Sequence, residues 1–206
     1  MDFEFTPNND IYWFNPNLTP LKDWAVFLDR DGVIIEEVHL LKNIKDLYIY
    51  PESFEAIRKL NHCNIPVFLT TNQTTVCRNL VNVKFINKTH RIIEKKLEKL
   101  GIHLDGILCC LHHPEADLIK YRTLCSWRKP DCGMFEFIAK KYNLDLKKSF
   151  GIGDKARDLL AYQKAGMHGI LVKTGYGGAD PFYKAKPNNK SENILEAVNY
   201  IINKNL

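Results

Sequence analysis

Five short apolar runs, separated by segments whose apolar residues recur at helical spacing, constrain the fold of this chain more than any other feature. They cover residues 24–28, 65–69, 106–111, 149–152 and 169–172. None shows the alternation of a strand with one wet face, so each predicts a strand buried on both sides. Between them Pro51 opens a helix marked by Phe54, Ile57 and Leu60, and a longer helix carries Phe85, Ile86, Ile92, Ile93, Leu97 and Leu100 before stopping at Gly101. Helices over 134–142 and 156–165 and a terminal stripe of Ile194, Leu195, Val198, Ile201 and Ile202 complete the alternation. Such βαβ units predict an α/β fold, a parallel sheet covered by helices on both faces, with ligands at the carboxyl ends of the strands.

At 206 residues and 45% hydrophobic content the chain suits one domain with its own core. Within it, residues 1–23 form an N-terminal extension, 109–131 an insertion and 178–206 a tail with a helix. The balance of 29 basic and 24 acidic residues leaves +5, but the surplus is scattered, so no nucleic-acid partner is expected. No apolar run reaches the ~18 residues of a membrane span, and the acidic, polar start is unlike a signal peptide. A cytoplasmic monomer is expected. Its six cysteines are then buried thiols or metal ligands rather than bridges, and four of them fall at Cys109, Cys110, Cys125 and Cys132. The segment 112–131 has no periodicity and needs something other than core burial to order it.

Polar residues sit where the strands end. Asp29 and Asp31 follow the first strand two positions apart, so in an extended segment both face one side and Arg30 the other, with Gly32 allowing a tight turn. Carboxylates held this close repel unless one is protonated or a divalent ion lies between them, which suits a nucleophile paired with a general acid. Gly153-Asp154-Lys155, with Asp158 beyond, brings further carboxylates to a neighbouring strand end. Thr71-Asn72 offers donors to an anion, and Lys129 an ammonium. Each alone is ordinary turn or surface chemistry: a solvated bend, an N-cap, an exposed lysine. The ordered set is more specific.

In that order the motifs Phe27-Leu28-Asp29-Arg30-Asp31-Gly32, Thr71-Asn72-Gln73, Cys110-Leu111-His112-His113-Pro114-Glu115, Arg128-Lys129-Pro130 and Gly153-Asp154-Lys155 resemble the haloacid dehalogenase superfamily over residues 25–177. Within it they resemble the cap-poor branch of heptose bisphosphate and histidinol-phosphate phosphatases. The resemblance implies a Rossmann-like sheet with a minimal cap and a hydrolase of phosphoric monoesters acting on a small phosphorylated sugar. It implies Asp29 as nucleophile, forming an aspartyl phosphate, and Asp31 as general acid and base. Mg²⁺ would be held by Asp29, the carbonyl of Asp31 and Asp154. Thr71, Asn72, Lys129 and Lys155 would bind the transferring phosphate, and Arg78 and Arg128 the rest of the substrate, including a remote phosphate.

The resemblance also implies a zinc loop, with Cys110, His112 and Cys125 as ligands of a structural Zn²⁺ and Trp127 where a fourth cysteine should stand. Indole does not replace thiolate, so Cys109, Cys132, His113 or a water must complete the site, or the loop simply packs around its thiols. Val33, in place of a threonine, and Thr74 to Cys77, in place of a glycine-containing stretch, also depart from the pattern. His39, His62, His90, His103 and His168 have no motif partners and are expected at the surface or satisfied in the core. The leading expectation is hydrolysis of the 7-phosphate of a manno-heptose bisphosphate for a lipopolysaccharide or other surface glycan. Histidinol phosphate is the alternative substrate, and a catalytically silent zinc-loop binding module the alternative of another class.

Overall fold

The computed structural model describes residues 2–205. The polar lead-in contributes β1 (Glu4–Phe5) and β2 (Ile11–Phe14), and the five apolar runs become β3 (Val26–Leu28), β4 (Val67–Asn72), β5 (Gly106–Cys110), β6 (Phe150–Gly153) and β7 (His168–Val172). A last strand, β8 (Asn189–Ser191), arises in the Lys/Asn-rich segment. All eight form one sheet in the order β1-β2-β5-β4-β3-β6-β7-β8. From β5 to β8 the neighbours are parallel, but β1 and β2 run antiparallel, so the sheet is mixed where an all-parallel one was expected. An edge strand with one neighbour and a wet side tolerates polar residues, which is why β1 and β8 lack apolar runs.

Among the described residues six helices cover the sheet: α1 (Pro51–His62), α2 (Thr74–Cys77), α3 (Val83–Glu98), α4 (Gly133–Tyr142), α5 (Ala156–Lys164) and α6 (Ile194–Asn205). Strand residues alternate between two cores as the pleat requires. Val26, Leu28, Val67 and Leu69 meet Ile57 of α1, Ile93 of α3 and Val198 of α6 on one face. Ala25, Phe27, Phe68 and Leu108 meet Phe135 of α4 and Tyr162 of α5 on the other. Among the described residues no helix is long and apolar enough to cross a membrane.

Two boundaries matter for the site. β4 continues past Leu69 because Thr70, Thr71 and Asn72 pair with Leu108, Cys109 and Cys110, carrying Thr71 and Asn72 to the sheet edge. Between β5 and α4 the chain is irregular apart from one 3₁₀ turn at Ile119–Tyr121, yet it is well tied down, with Cys125, Trp127 and Lys129 all buried.

Candidate active site

The carboxyl ends of β3, β4 and β6 converge on Lys129, which is 2% exposed. Its Nζ lies 2.9 Å from Asp29 Oδ1 and 2.6 Å from Asp158 Oδ1, and donates to the Thr70 carbonyl at 3.0 Å. The Lys129 backbone is clamped by Asn72, whose Oδ1 accepts from its N–H at 3.1 Å and whose amide donates to its carbonyl at 2.9 Å. Burial alone would push the Lys129 ammonium down, but Asp158 and Asp29 outweigh it and hold the group above its ordinary value. Asp29 gains in return: burial opposes ionisation, yet the ammonium groups of Lys129 and Lys155 keep its carboxyl below the usual range. A buried carboxylate held ionised at a strand end is a competent nucleophile. Asp158 is instead pushed up, chiefly by burial.

Asp31 does not sit opposite Arg30 as expected. The chain bends directly after β3, and Arg30, 1% exposed, turns back so that Nη2 bonds Asp31 Oδ1 at 2.8 Å and Gln73 Oε1 at 2.8 Å. Gln73 donates to Asp31 Oδ2 at 2.8 Å and to Thr71 Oγ1 at 3.0 Å. The extended geometry fails because residues 30–35 form a tight loop in which the Val33, Ile34 and Ile35 N–H groups all reach the Arg30 carbonyl. Asp31 still lines the same cavity as Asp29.

Asp154, Asp29 and Asp158 each present a carboxylate oxygen within 4.8 Å of the others. Asp154 Oδ2 accepts from the Tyr176 N–H at 2.9 Å, whereas the buried Oδ1 has no partner. Burial, opposed by Lys155 and reinforced by Asp158 and Asp29, pushes the Asp154 carboxyl up to about 8. Two glycines make room for it. At Gly32, where φ is +78°, a Cβ would lie 2.4 Å from Asp154 Oδ2, and at Gly175, with φ +64°, it would lie 2.3 Å away. An orphaned carboxylate oxygen among three carboxylates fits a hard divalent cation, which prefers oxygen donors. Both Asp158 oxygens are taken, Oδ1 by Lys129 and Oδ2 by the Lys155 N–H at 3.1 Å, whereas Lys129 holds only Oδ1 of Asp29 and Asp154 Oδ1 has no partner, so Asp29 and Asp154 are the side chains with an oxygen left to face it.

The cavity above this cluster has a volume of about 390 Å³ and is lined by Asp29, Asp31, Thr71, Asn72, Arg78, Arg128, Lys129 and Lys155. All the expected phosphate- and substrate-binding residues therefore meet in one place. Lys155 is partly committed, pairing with Glu37 at 2.6 Å and lying 4.3 Å from the Tyr176 ring centre. Arg78 is exposed at the rim, and Arg128 is half-buried, donating to the His112 carbonyl at 2.9 Å. Sequence reasoning missed Arg157, paired with Asp180 at 2.7 Å, and Tyr176, whose hydroxyl meets His39 Nδ1 at 3.1 Å. No motif marked them, because they come from a helix face and from loops whose approach only the fold reveals. One histidine departs from expectation: His90 is buried with neither ring nitrogen bonded, so burial keeps it neutral, while His39, exposed as expected, also lines this cavity.

A second cluster lies behind Arg128. Cys110, His112, Cys125 and Asp10 are all buried and present donor atoms within 4.8 Å of one another. His112 Nδ1 is 2.8 Å from Asp10 Oδ1, and the Cys125 thiol donates to Asp10 Oδ2 at 3.1 Å. Hydrogen bonding with Cys110 draws Cys125 down to about 6, burial pushes Cys110 up, and Asp10 pulls His112 up to about 9. None of Cys109, Cys132 or His113 completes the group. Cys109 points to the opposite face of β5, Cys132 bonds Glu136 at 3.3 Å, and His113 lines the active-site cavity.

Residues 126–198 match a family model described as HAD-hydrolase-like. The chain is 34% identical over 185 residues to a D-glycero-D-manno-heptose-1,7-bisphosphate 7-phosphatase from Thermosynechococcus vestitus, covering 86% of this chain and 94% of that protein. It is 39% identical over 146 residues to a D-glycero-beta-D-manno-heptose-1,7-bisphosphate 7-phosphatase from Rhodopseudomonas palustris, covering 71% and 81%. Among solved structures, the D,D-heptose 1,7-bisphosphate phosphatase of B. bronchiseptica, complexed with magnesium and phosphate, superposes with a TM-score of 0.76 at 29% identity, over 88% of this chain and 99% of that one. The strand-end cluster thus sits in a chain whose likeness to these enzymes runs nearly end to end, and the chain belongs to the heptose-1,7-bisphosphate 7-phosphatase family of the haloacid dehalogenase superfamily.

Proposed function

We propose that the chain is a Mg²⁺-dependent phosphatase that removes the 7-phosphate of a D-glycero-D-manno-heptose 1,7-bisphosphate on the way to a surface glycan such as lipopolysaccharide. The observation that carries this reading is the buried Asp29 carboxylate held ionised at 2.9 Å from Lys129, with Asp31 two residues on in the same cavity. Asp29 attacks phosphorus, a bond from its oxygen to phosphorus forms, and the bond to the sugar oxygen breaks as Asp31 gives that oxygen its proton. The Asp31 carboxylate then takes a proton from the water that attacks the aspartyl phosphate, releasing phosphate and restoring Asp29. Lys129, Thr71 and Asn72 meet the charge on the transferring oxygens. Held by Asp29, the Asp31 carbonyl and Asp154, Mg²⁺ would neutralise the repulsion between phosphate and carboxylate.

Arg78 and Arg128 face the cavity beyond these groups, where guanidinium forks suit the second phosphate of a bisphosphate. Names of the relatives support the substrate, and Mg²⁺ is supported by the B. bronchiseptica structure and by the orphaned Asp154 oxygen. Further parts of the proposal are a structural Zn²⁺ at Cys110, His112 and Cys125, and action as a single-domain cytoplasmic monomer. The test is phosphate release with Mg²⁺ from both anomers of heptose 1,7-bisphosphate, histidinol phosphate, fructose bisphosphate and mononucleotides, with Asp29→Asn as the blank. Fastest turnover of a heptose bisphosphate with an inactive variant supports the reading; preference for histidinol phosphate, or no Mg²⁺-dependent release, overturns it.

A further inference from the structure

We infer that Asp10, from the N-terminal β2 segment, is the fourth ligand of a tetrahedral Zn²⁺ site completed by Cys110, His112 and Cys125. The inference rests on the zinc-loop part of the proposed function and adds the group that the loop itself lacks. Its first support is register. β2 pairs antiparallel with β5 so that Ile11 faces Cys109, and continuing that pairing one step sets Asp10 opposite Cys110. Directly opposed residues project to the same face of a sheet with Cβ atoms about 5 Å apart. His112 lies beyond the end of β5 and reaches the same group, its Nδ1 2.8 Å from Asp10 Oδ1.

The second support is the chemistry of the donors. Two thiols, an imidazole and a carboxylate, each at most 9% exposed, converge within 4.8 Å. That is a mixed sulfur, nitrogen and oxygen set of the kind zinc takes. A buried cluster of this composition is costly if left to itself. The surrounding bonds suit a metal site: the Leu111 N–H donates to Asp10 Oδ1 at 2.9 Å, and the His112 N–H points at Cys110 Sγ at 3.4 Å, fixing two of the donors from outside. On binding, zinc takes both sulfurs as thiolates and His112 as a neutral imidazole, and any protons these groups still carry pass to solvent. The product carries Zn²⁺, two thiolates and one carboxylate, a net charge of −1, and Arg128, bonded to the His112 carbonyl at 2.9 Å, is the adjacent cation.

The third support explains the missing cysteine. Trp127 is 8% exposed and its ring packs edge-on against Tyr12, two residues beyond Asp10, with centres 6.3 Å apart. The residue that removes a thiol from the loop therefore holds in place the strand that brings the carboxylate.

The test is metal content and affinity, with no reference to turnover. Zinc per chain is measured after dialysis of the full-length protein, affinity by competition with a chromophoric chelator, and geometry from the visible spectrum of the Co²⁺ form. Wild type should hold one zinc per chain and give a tetrahedral Co²⁺ spectrum with the charge-transfer intensity of two thiolates. Asp10→Asn, nearly isosteric, should weaken zinc by at least about 100-fold. Asp10→Cys should restore binding and add a third thiolate contribution, and Cys125→Ser serves as the reference for loss of a true ligand. Unchanged affinity and spectrum in Asp10→Asn would overturn the assignment of Asp10 while leaving the zinc loop standing. A wild-type protein that takes up neither zinc nor cobalt overturns both, and the phosphatase reading is judged separately by Asp29→Asn.

Discussion

The Lys129 ammonium lies 2.9 Å from Asp29 Oδ1, and Asn72 holds the Lys129 backbone from both sides. One cation thereby serves Asp29 and Asp158, both buried. Lys129→Met should leave two buried carboxylates with only Lys155 as counter-charge and destabilise the fold by about 3–5 kcal/mol near neutral pH. Without the ammonium both carboxyls rise, so the deficit should shrink as pH falls toward 5 and they take up protons. Urea unfolding of both proteins at two pH values checks this, and an equal deficit at both would mean the loss is packing alone.

Gly32 predicts a different failure. Alanine there must adopt φ +78° and place a methyl 2.4 Å from Asp154 Oδ2. Gly32→Ala should raise the Mg²⁺ concentration needed for half-maximal activity by about tenfold or more and cost about 1–2 kcal/mol of stability. A magnesium titration of phosphate release alongside thermal unfolding separates the two effects.

Far from the site, Glu94 on α3 carries a pH dependence. Burial lifts its carboxyl from an ordinary 4.5 to about 7, against the Leu104 N–H and His103, with Asp105 and Glu98 nearby, and Oε1 has no partner. A folded-state value above the unfolded one favours the protonated acid, so this residue's contribution is full below pH 4.5 and is lost as pH rises to about 7. Glu94→Gln should therefore be more stable than the parent by about 2–3 kcal/mol at pH 8 and indistinguishable near pH 4. Chemical denaturation at those pH values decides it.

Arg78 tests how the cavity reads its substrate. The side chain is exposed at the rim and lines the cavity beyond the carboxylates. Arg78→Ala should raise KM for heptose 1,7-bisphosphate by about tenfold with little change in kcat, and leave KM for heptose 7-phosphate unaltered. Equal losses on both substrates would place Arg78 at the transferring phosphate instead.

The central strands were legible because burial on both faces leaves continuous apolar runs, and the candidate site residues could be picked out because ligands of such a sheet gather at the strand ends, where Asp29, Asp31, Thr71, Asn72 and Lys129 do line one cavity. β2 was not. Ile11-Tyr12-Trp13-Phe14 is apolar, but it follows Pro7-Asn8-Asn9-Asp10 and pairs with a strand about a hundred residues away, a contact no local pattern announces. Asp10 was hidden for the same reason: the loop showed three candidate ligands, and the fourth member of the buried cluster lies just before β2. Arg30 shows the opposite limit: strand alternation holds only as far as Leu28, and Asp29, Arg30 and Asp31 lie beyond it.

The antiparallel pairing of β2 with β5 makes residues 2–15 an edge guard for the catalytic sheet. Trimming them would bare the outer backbone of Gly106–Cys110 as a template for other chains and at the same time take Asp10 from behind the loop that carries Arg128 and Lys129. A shortened protein would then lose activity and solubility together although every residue of the reaction remained, and a screen of truncations would record a catalytic defect where the fault is architectural.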